Sequence, residues 1–129
     1  MTNSVIPENL ILFVLDKIES VTELEALLIL RQDANRKWGA PVLAERLYIS
    51  QAQTAELLRA LCDKGFTIAD ERQEYRYCPD SPELDLLVDG LAKIYLKHIV
   101  PVTDLIHSKP KYKVQGFADA FKLRKDDEE

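Results

Sequence analysis

The chain has 129 residues, 47% of them hydrophobic and 30% charged, which suits one globular domain with a single core and excludes an intrinsically disordered polymer. Its longest apolar run, Leu10 to Leu15, falls far short of the ~20 residues that cross a bilayer, so no membrane span is expected. A formal net charge of −5 excludes a uniformly basic nucleic-acid binder and directs attention to local charge instead.

In chain order, Pro7 fits a first helical turn, where its missing N–H goes unused, and opens a helix over 7–19. Leu10, Ile11, Phe13, Val14, Leu15 and Ile18 make that helix apolar on nearly every side, which calls for cover from more than one direction, a second subunit included. Ser20 and Glu23 form S-x-x-E, the capping box of a new helix that continues through Leu24, Leu27, Leu28 and Arg31. The polar segment "RQDANRKWG" ends it, and Trp38 reads as a packing anchor whose indole N–H requires a nearby carbonyl.

Pro41 opens the next helix, with Val42, Leu43, Ala44 and Leu47 on its inner face. Ser50 then caps "QAQTAELLRALCDKG". Projected at ~100° per residue, Thr54, Ala55, Leu58, Leu61 and Cys62 fall on one side and Ala52, Gln53, Glu56, Arg59, Ala60 and Asp63 on the other. Gly65 supplies a left-handed end. "FTIAD" and "EYRYCP" around the polar "ERQ" predict a hairpin, with Tyr75 and Tyr77 packing beneath it. Ser81 and Pro82 begin a helix whose apolar residues recur every three or four positions through Ile106, one long helix over 82–108 that Pro101 kinks or breaks. "VQGFADAFKLRK" predicts a last short helix over 114–125.

Charge is uneven along this plan. Residues 1–30 carry one cation against five anions, and 80–105 carry two against five, while 31–79 are nearly balanced at eight against seven. The cations Lys109, Lys111, Lys113, Lys122, Arg124 and Lys125 form a reserve of phosphate contacts, followed by the acidic "DDEE". Cys62 and Cys78 form no C-x-x-C pair and read as small buried residues in a reducing compartment, with a redox pair as the alternative. His98 and His107 lie off any same-face metal spacing, and the chain contains no G-x-S-x-G, H-E-x-x-H or phosphate-cradling glycine loop. No enzyme, metal or cofactor is expected, and the acidic flank of the first helix, unlike a secretory signal, points to the cytoplasm.

"LEALLILRQDANRKWGAPVLAERLYISQAQTAELLRALCDKGF" followed by "YRYCP" resembles winged helix-turn-helix transcriptional regulators of the multiple-antibiotic-resistance type, over Ser20 to Pro79. "SVTELEALLILR", "VPVTDLIHSKP" and "FADAFKLRKDD" are similar to a group of small bacterial regulator-like proteins with no established activity to lend. The resemblance implies a mainly α domain with a β-hairpin wing: an N-terminal helix, the winged core over 20–79 and a long C-terminal dimerisation helix. It implies that the helix after Ser50 enters the major groove of double-stranded DNA, with Gln53 on an adenine edge and Ser50 or Gln51 on a phosphate. Arg59 would reach the backbone and Arg72 at the wing tip the minor groove. An effector pocket for an unknown small molecule also comes with the likeness.

Departures from that family pattern carry their own implication. Glu56 sits mid-way along the reading face, Ala60 and Asp63 stand where cations are expected, and only Lys64 is retained. Asp70, Glu71 and Glu74 surround Arg72. Duplex DNA carries one charge per ~1.7 Å of axis, so these anions oppose it. The leading expectation is a homodimeric bacterial DNA-binding regulator; the alternative is a winged-helix protein-interaction module that has given up DNA.

Overall fold

The computed structural model describes residues 5–108, and the expected helix over 114–125 and the cationic run from Lys109 to Lys125 lie outside them. Among the described residues the chain is mainly helical, with six helices and one two-stranded antiparallel sheet.

Helix α1 (Glu8–Lys17) starts directly after Pro7, whose carbonyl accepts from the Leu10 and Ile11 amides at 3.0 Å. Helix α2 (Val21–Gln32) is capped by Ser20, whose Oγ accepts from the Glu23 amide at 3.0 Å, satisfying one of the orphan donors of the first turn. Helix α3 (Ala40–Leu47) has Pro41 in its first turn and no side-chain cap. Helix α4 (Gln51–Asp63) follows after three residues, and Ser50 and Gln53 form a reciprocal capping box at its start.

The end of α4 is a Schellman motif: Gly65 N–H donates to the Cys62 carbonyl and Phe66 N–H to the Leu61 carbonyl, both at 3.0 Å. Gly65 adopts φ 89°, and a Cβ there would meet Asp80 Oδ2 at 2.2 Å, so both backbone and space demand glycine. The turn sends Phe66 into the core, edge-on to Phe13 of α1 with centroids 6.0 Å apart.

Strands β1 (Thr67–Ala69) and β2 (Tyr75–Tyr77) pair antiparallel, Thr67 opposite Tyr77 and Ala69 opposite Tyr75. Trp38 bridges the other side of Tyr75, with both backbone N–H···O bonds at 2.8 Å, so the segment before α3 runs alongside β2. Tyr77 is buried and its hydroxyl donates to Asp85 at 2.7 Å; burial first, then that carboxylate, push its ionisation well above the usual tyrosine range.

The expected single helix over 82–108 is two helices. Helix α5 (Pro82–Lys97) begins with Ser81 Oγ accepting from the Leu84 amide at 3.1 Å, and it ends at His98 (φ −137°, ψ 62°). Helix α6 (Ile99–His107) starts at once, with Pro101 in its first turn. Proline clashes with the carbonyl four residues earlier and lacks a donor, so the break falls before it and Pro101 occupies a position where no intrahelical donor is needed.

Helix α1 packs against both α5 and α6, while α2 meets α3, α4, α6 and β2. Leu24, Leu27 and Leu30 of α2 are fully buried with Leu43, Leu58 and Leu61 from the α3–α4 pair. Each such leucine is worth about 1.5–3 kcal/mol in removed apolar surface. An ion pair from Arg31 to Asp89, which also receives Lys93 at 3.0 Å, links α2 to α5.

Candidate nucleic-acid interface

The α3–turn–α4 unit presents one face of α4 outward. Ser50, Gln51, Ala52, Gln53, Glu56, Arg59 and Asp63 are exposed, while Thr54, Leu58 and Leu61 are buried. The inner and outer faces expected from helical spacing therefore match the burial. Thr54 Oγ1 donates to the Ser50 carbonyl at 2.8 Å, which lets a hydroxyl sit in the core without loss.

Ser50 and Gln53 turn out to serve each other. Gln53 Oε1 accepts from the Ser50 amide at 3.3 Å and from Ser50 Oγ at 3.2 Å, while Ser50 Oγ accepts from the Gln53 amide at 3.0 Å. Bidentate pairing with adenine requires both the oxygen and the nitrogen of a glutamine amide. In this arrangement only the Gln53 amine group is free, so adenine recognition requires the cap to open first. Gln51 stays exposed with its side chain uncommitted.

Tyr48, in the turn ahead of α4, is the residue that sequence spacing did not single out. It is 93% exposed and sits in the left-handed region at φ 61°, where its amide reaches the Ala44 carbonyl at 2.8 Å. A side chain with a Cβ is strained there by about 1–2 kcal/mol.

Arg59 and Arg72 come from separate elements and are brought together. Both line a cleft of about 300 Å³ between α4, the hairpin tip and the start of α3, shared with Gly39, Ala40, Pro41, Gln73, Glu74 and Tyr75. Neither arginine makes an ion pair among the described residues. The uncapped first turn of α3 opens on the same cleft, so backbone donors and the positive end of a helix join two guanidinium groups. Glu74 is the one carboxylate on its wall.

The hairpin tip is less acidic in effect than its residues imply. Asp70 Oδ1 accepts from the Arg72 amide at 2.9 Å and the Glu74 amide at 3.0 Å, and Asp70 Oδ2 accepts from Lys37 at 3.1 Å. These bonds, the Glu74 amide foremost, hold the Asp70 carboxyl below the ordinary carboxylate range. Gln73 takes the left-handed position at φ 62° that closes the turn. Asp70 is thus consumed by the hairpin and by Lys37, leaving Glu71 and Glu74 beside Arg72.

Lys64, the cation retained at the end of the reading helix, does not point to a duplex. Its Nζ donates to the Lys17 carbonyl at 2.6 Å and to Glu23 at 2.9 and 3.0 Å, and Glu23 is only 4% exposed. Glu23 in turn accepts from the Glu19 amide at 2.7 Å. Trp38 also departs from expectation: its indole nitrogen is buried with no hydrogen-bond partner among the described residues. Cys62 and Cys78 are free, half-buried thiols, and no cluster of three His, Cys, Asp or Glu suited to a metal occurs among the described residues. No helix among them is long and apolar enough to cross a membrane.

No family model, curated protein or solved structure matches this chain.

Proposed function

We propose that the chain is a winged helix-turn-helix transcriptional regulator that binds double-stranded DNA as a homodimer. The observation that carries this reading is the convergence of Arg59 and Arg72, from α4 and the hairpin, on one cleft at the uncapped start of α3. A duplex phosphate needs clustered donors on a groove-sized edge, and two guanidinium groups beside a helix start supply them. The strand-like bridge of Trp38 to β2 supports the winged plan, because it gives the hairpin a third partner between α2 and α3. The exposure of Leu12 (60%) on α1 and of Leu96 (80%), Ile99 and Val100 on α5 and α6 supports pairing through those helices. A two-fold pair would set its two α4 helices one turn of DNA apart, roughly 34 Å.

Fluorescence anisotropy at low salt, with duplexes from around the chain's own gene, tests this alongside light scattering for the dimer. Arg59→Ala and Arg72→Ala should each weaken binding uniformly across sequences and flatten the log–log salt slope by about 0.9. No binding by a verified dimer defeats the reading.

A second reading, a protein-interaction module, is favoured by the exposed Glu56 in the middle of the α4 face and by the commitment of the Gln53 oxygen to its own cap. Glu56→Arg separates the two: it tightens DNA binding under the first and removes a nuclease-resistant protein partner under the second.

A further inference from the structure

A second cleft, sharing no lining residue with the one at α4, lies between the last turn of α2, the loop after it and the last turn of α3. It measures about 280 Å³ and is lined by Ile29, Gln32, Asp33, Arg36, Trp38 and Arg46. The Arg36 guanidinium lies 3.9 Å from the centre of the Trp38 ring and that of Arg46 lies 5.5 Å from it, both within cation–π range. Neither guanidinium forms an ion pair among the described residues, although Asp33 lines the same cleft.

Stacking on an aromatic face leaves the edge of a guanidinium free, with its forked N–H donors available in the ring plane. Two such groups at one ring repel each other, and the ring quadrupole offsets only part of that repulsion. The platform itself is rigid, since Trp38 is 2% exposed and its backbone is held to Tyr75 by two bonds of 2.8 Å. Its indole N–H is a buried donor without a partner. An unmet buried donor costs about 1–3 kcal/mol, so most native ones are matched by a protein group, a water or a ligand. Three donor groups with no acceptor among them define the chemistry of what fits.

We propose that this cleft binds a small molecule bearing an oxyanion, a carboxylate or a phosphate, gripped by Arg36 and Arg46 over Trp38. The ligand bridges the loop after α2 to α3, two residues before the Tyr48 turn that leads into α4. This site is independent of whether α4 contacts DNA.

Trp38 is the chain's single tryptophan, so the site carries its own reporter. The full chain is titrated with inorganic phosphate and with benzoate, each against chloride at matched ionic strength, while tryptophan emission is followed. A saturable change with one of the two oxyanions, absent with chloride, is expected, and whichever saturates at lower concentration identifies the source. Arg36→Ala and Arg46→Ala, both at exposed positions, should each raise the midpoint about tenfold, as loss of a charged hydrogen-bond donor does. Arg59→Ala, in the other cleft, should leave it unchanged. The proposal is overturned by the absence of saturation with both oxyanions, by saturation that persists in the Arg36→Ala/Arg46→Ala double variant, or by loss of saturation in Arg59→Ala.

Discussion

The two ends of α4 are built on opposite principles. At its trailing end Lys64, Gly65 and Phe66 are locked: an ion pair to a buried glutamate, a left-handed glycine against Asp80, and an aromatic ring in the core. At its leading end Tyr48, Ser50, Gln51 and Gln53 are exposed and bond only to one another or to the preceding turn of α3. Both ends carry polar residues that look alike on a helical projection. The difference lies in partners far along the chain, and it teaches that a helix can be fixed to its domain at one end while the other faces solvent with slack to spare.

The contrast predicts large, unfavourable effects at the trailing end. Lys64→Met leaves Glu23 charged, nearly buried and facing the Lys17 carbonyl, and should destabilise the fold by about 3 kcal/mol in chemical denaturation. Glu23→Gln keeps an acceptor for the Glu19 amide, so the double variant Glu23→Gln/Lys64→Met should be more stable than Lys64→Met alone. A double variant as unstable as the single would mean that the ion pair is incidental and that packing of the lysine stem matters instead. Gly65→Ala comes next, at about 2 kcal/mol, from the left-handed backbone plus the approach to Asp80. Adding Asp80→Ala should recover the steric part and leave the backbone part.

At the leading end the sign should reverse. Tyr48 adopts the left-handed region with its ring in solvent, so Tyr48→Gly removes strain and sacrifices no packing. After allowing for the extra freedom of glycine in the unfolded chain, a gain of about 0.5–1 kcal/mol is expected. A loss instead would show that the ring has a contact in solution and that this end is not slack.

How much of this was legible beforehand follows the same division. Signals confined to one helix or one turn were readable: the caps at Ser20, Ser50 and Ser81, the Gly65 stop, the hairpin strands and the two faces of α4 all depend on neighbours within a few residues. What depended on distant partners was not. Lys64 reads as a leftover DNA contact until Glu23, 41 positions away, is seen beneath it. Trp38 reads as an anchor, but a single-residue bridge to Tyr75 has no periodicity to announce a strand. Pro101 announced a break in the long helix, yet the break lies at His98, because proline disturbs the turn before it and is comfortable in the turn after. The meeting of Arg59 with Arg72 needed the hairpin to fold back over α4, which spacing alone does not specify.

The hairpin tip tests whether exposure and structural duty must exclude each other, and its effect is the smallest. Asp70 is on the surface, yet it accepts two backbone amides across the turn and one from Lys37. Its ionised form is favoured in the folded chain, so its folded pKa lies below the model value of 3.8. The sign follows: the contribution is fully present above the unfolded value and is lost as pH falls through the folded one. Between about pH 5 and pH 2, amide exchange at Arg72 and Glu74 should therefore quicken before the helical core responds, because exposed hairpin bonds open locally at little cost. Asp70→Asn retains an oxygen for both amides but loses the charge that Lys37 meets, so this early acid step should disappear while the turn persists at neutral pH. If the step survives in Asp70→Asn, the acid response belongs to Glu71 or Glu74, and the tip is held by its backbone alone.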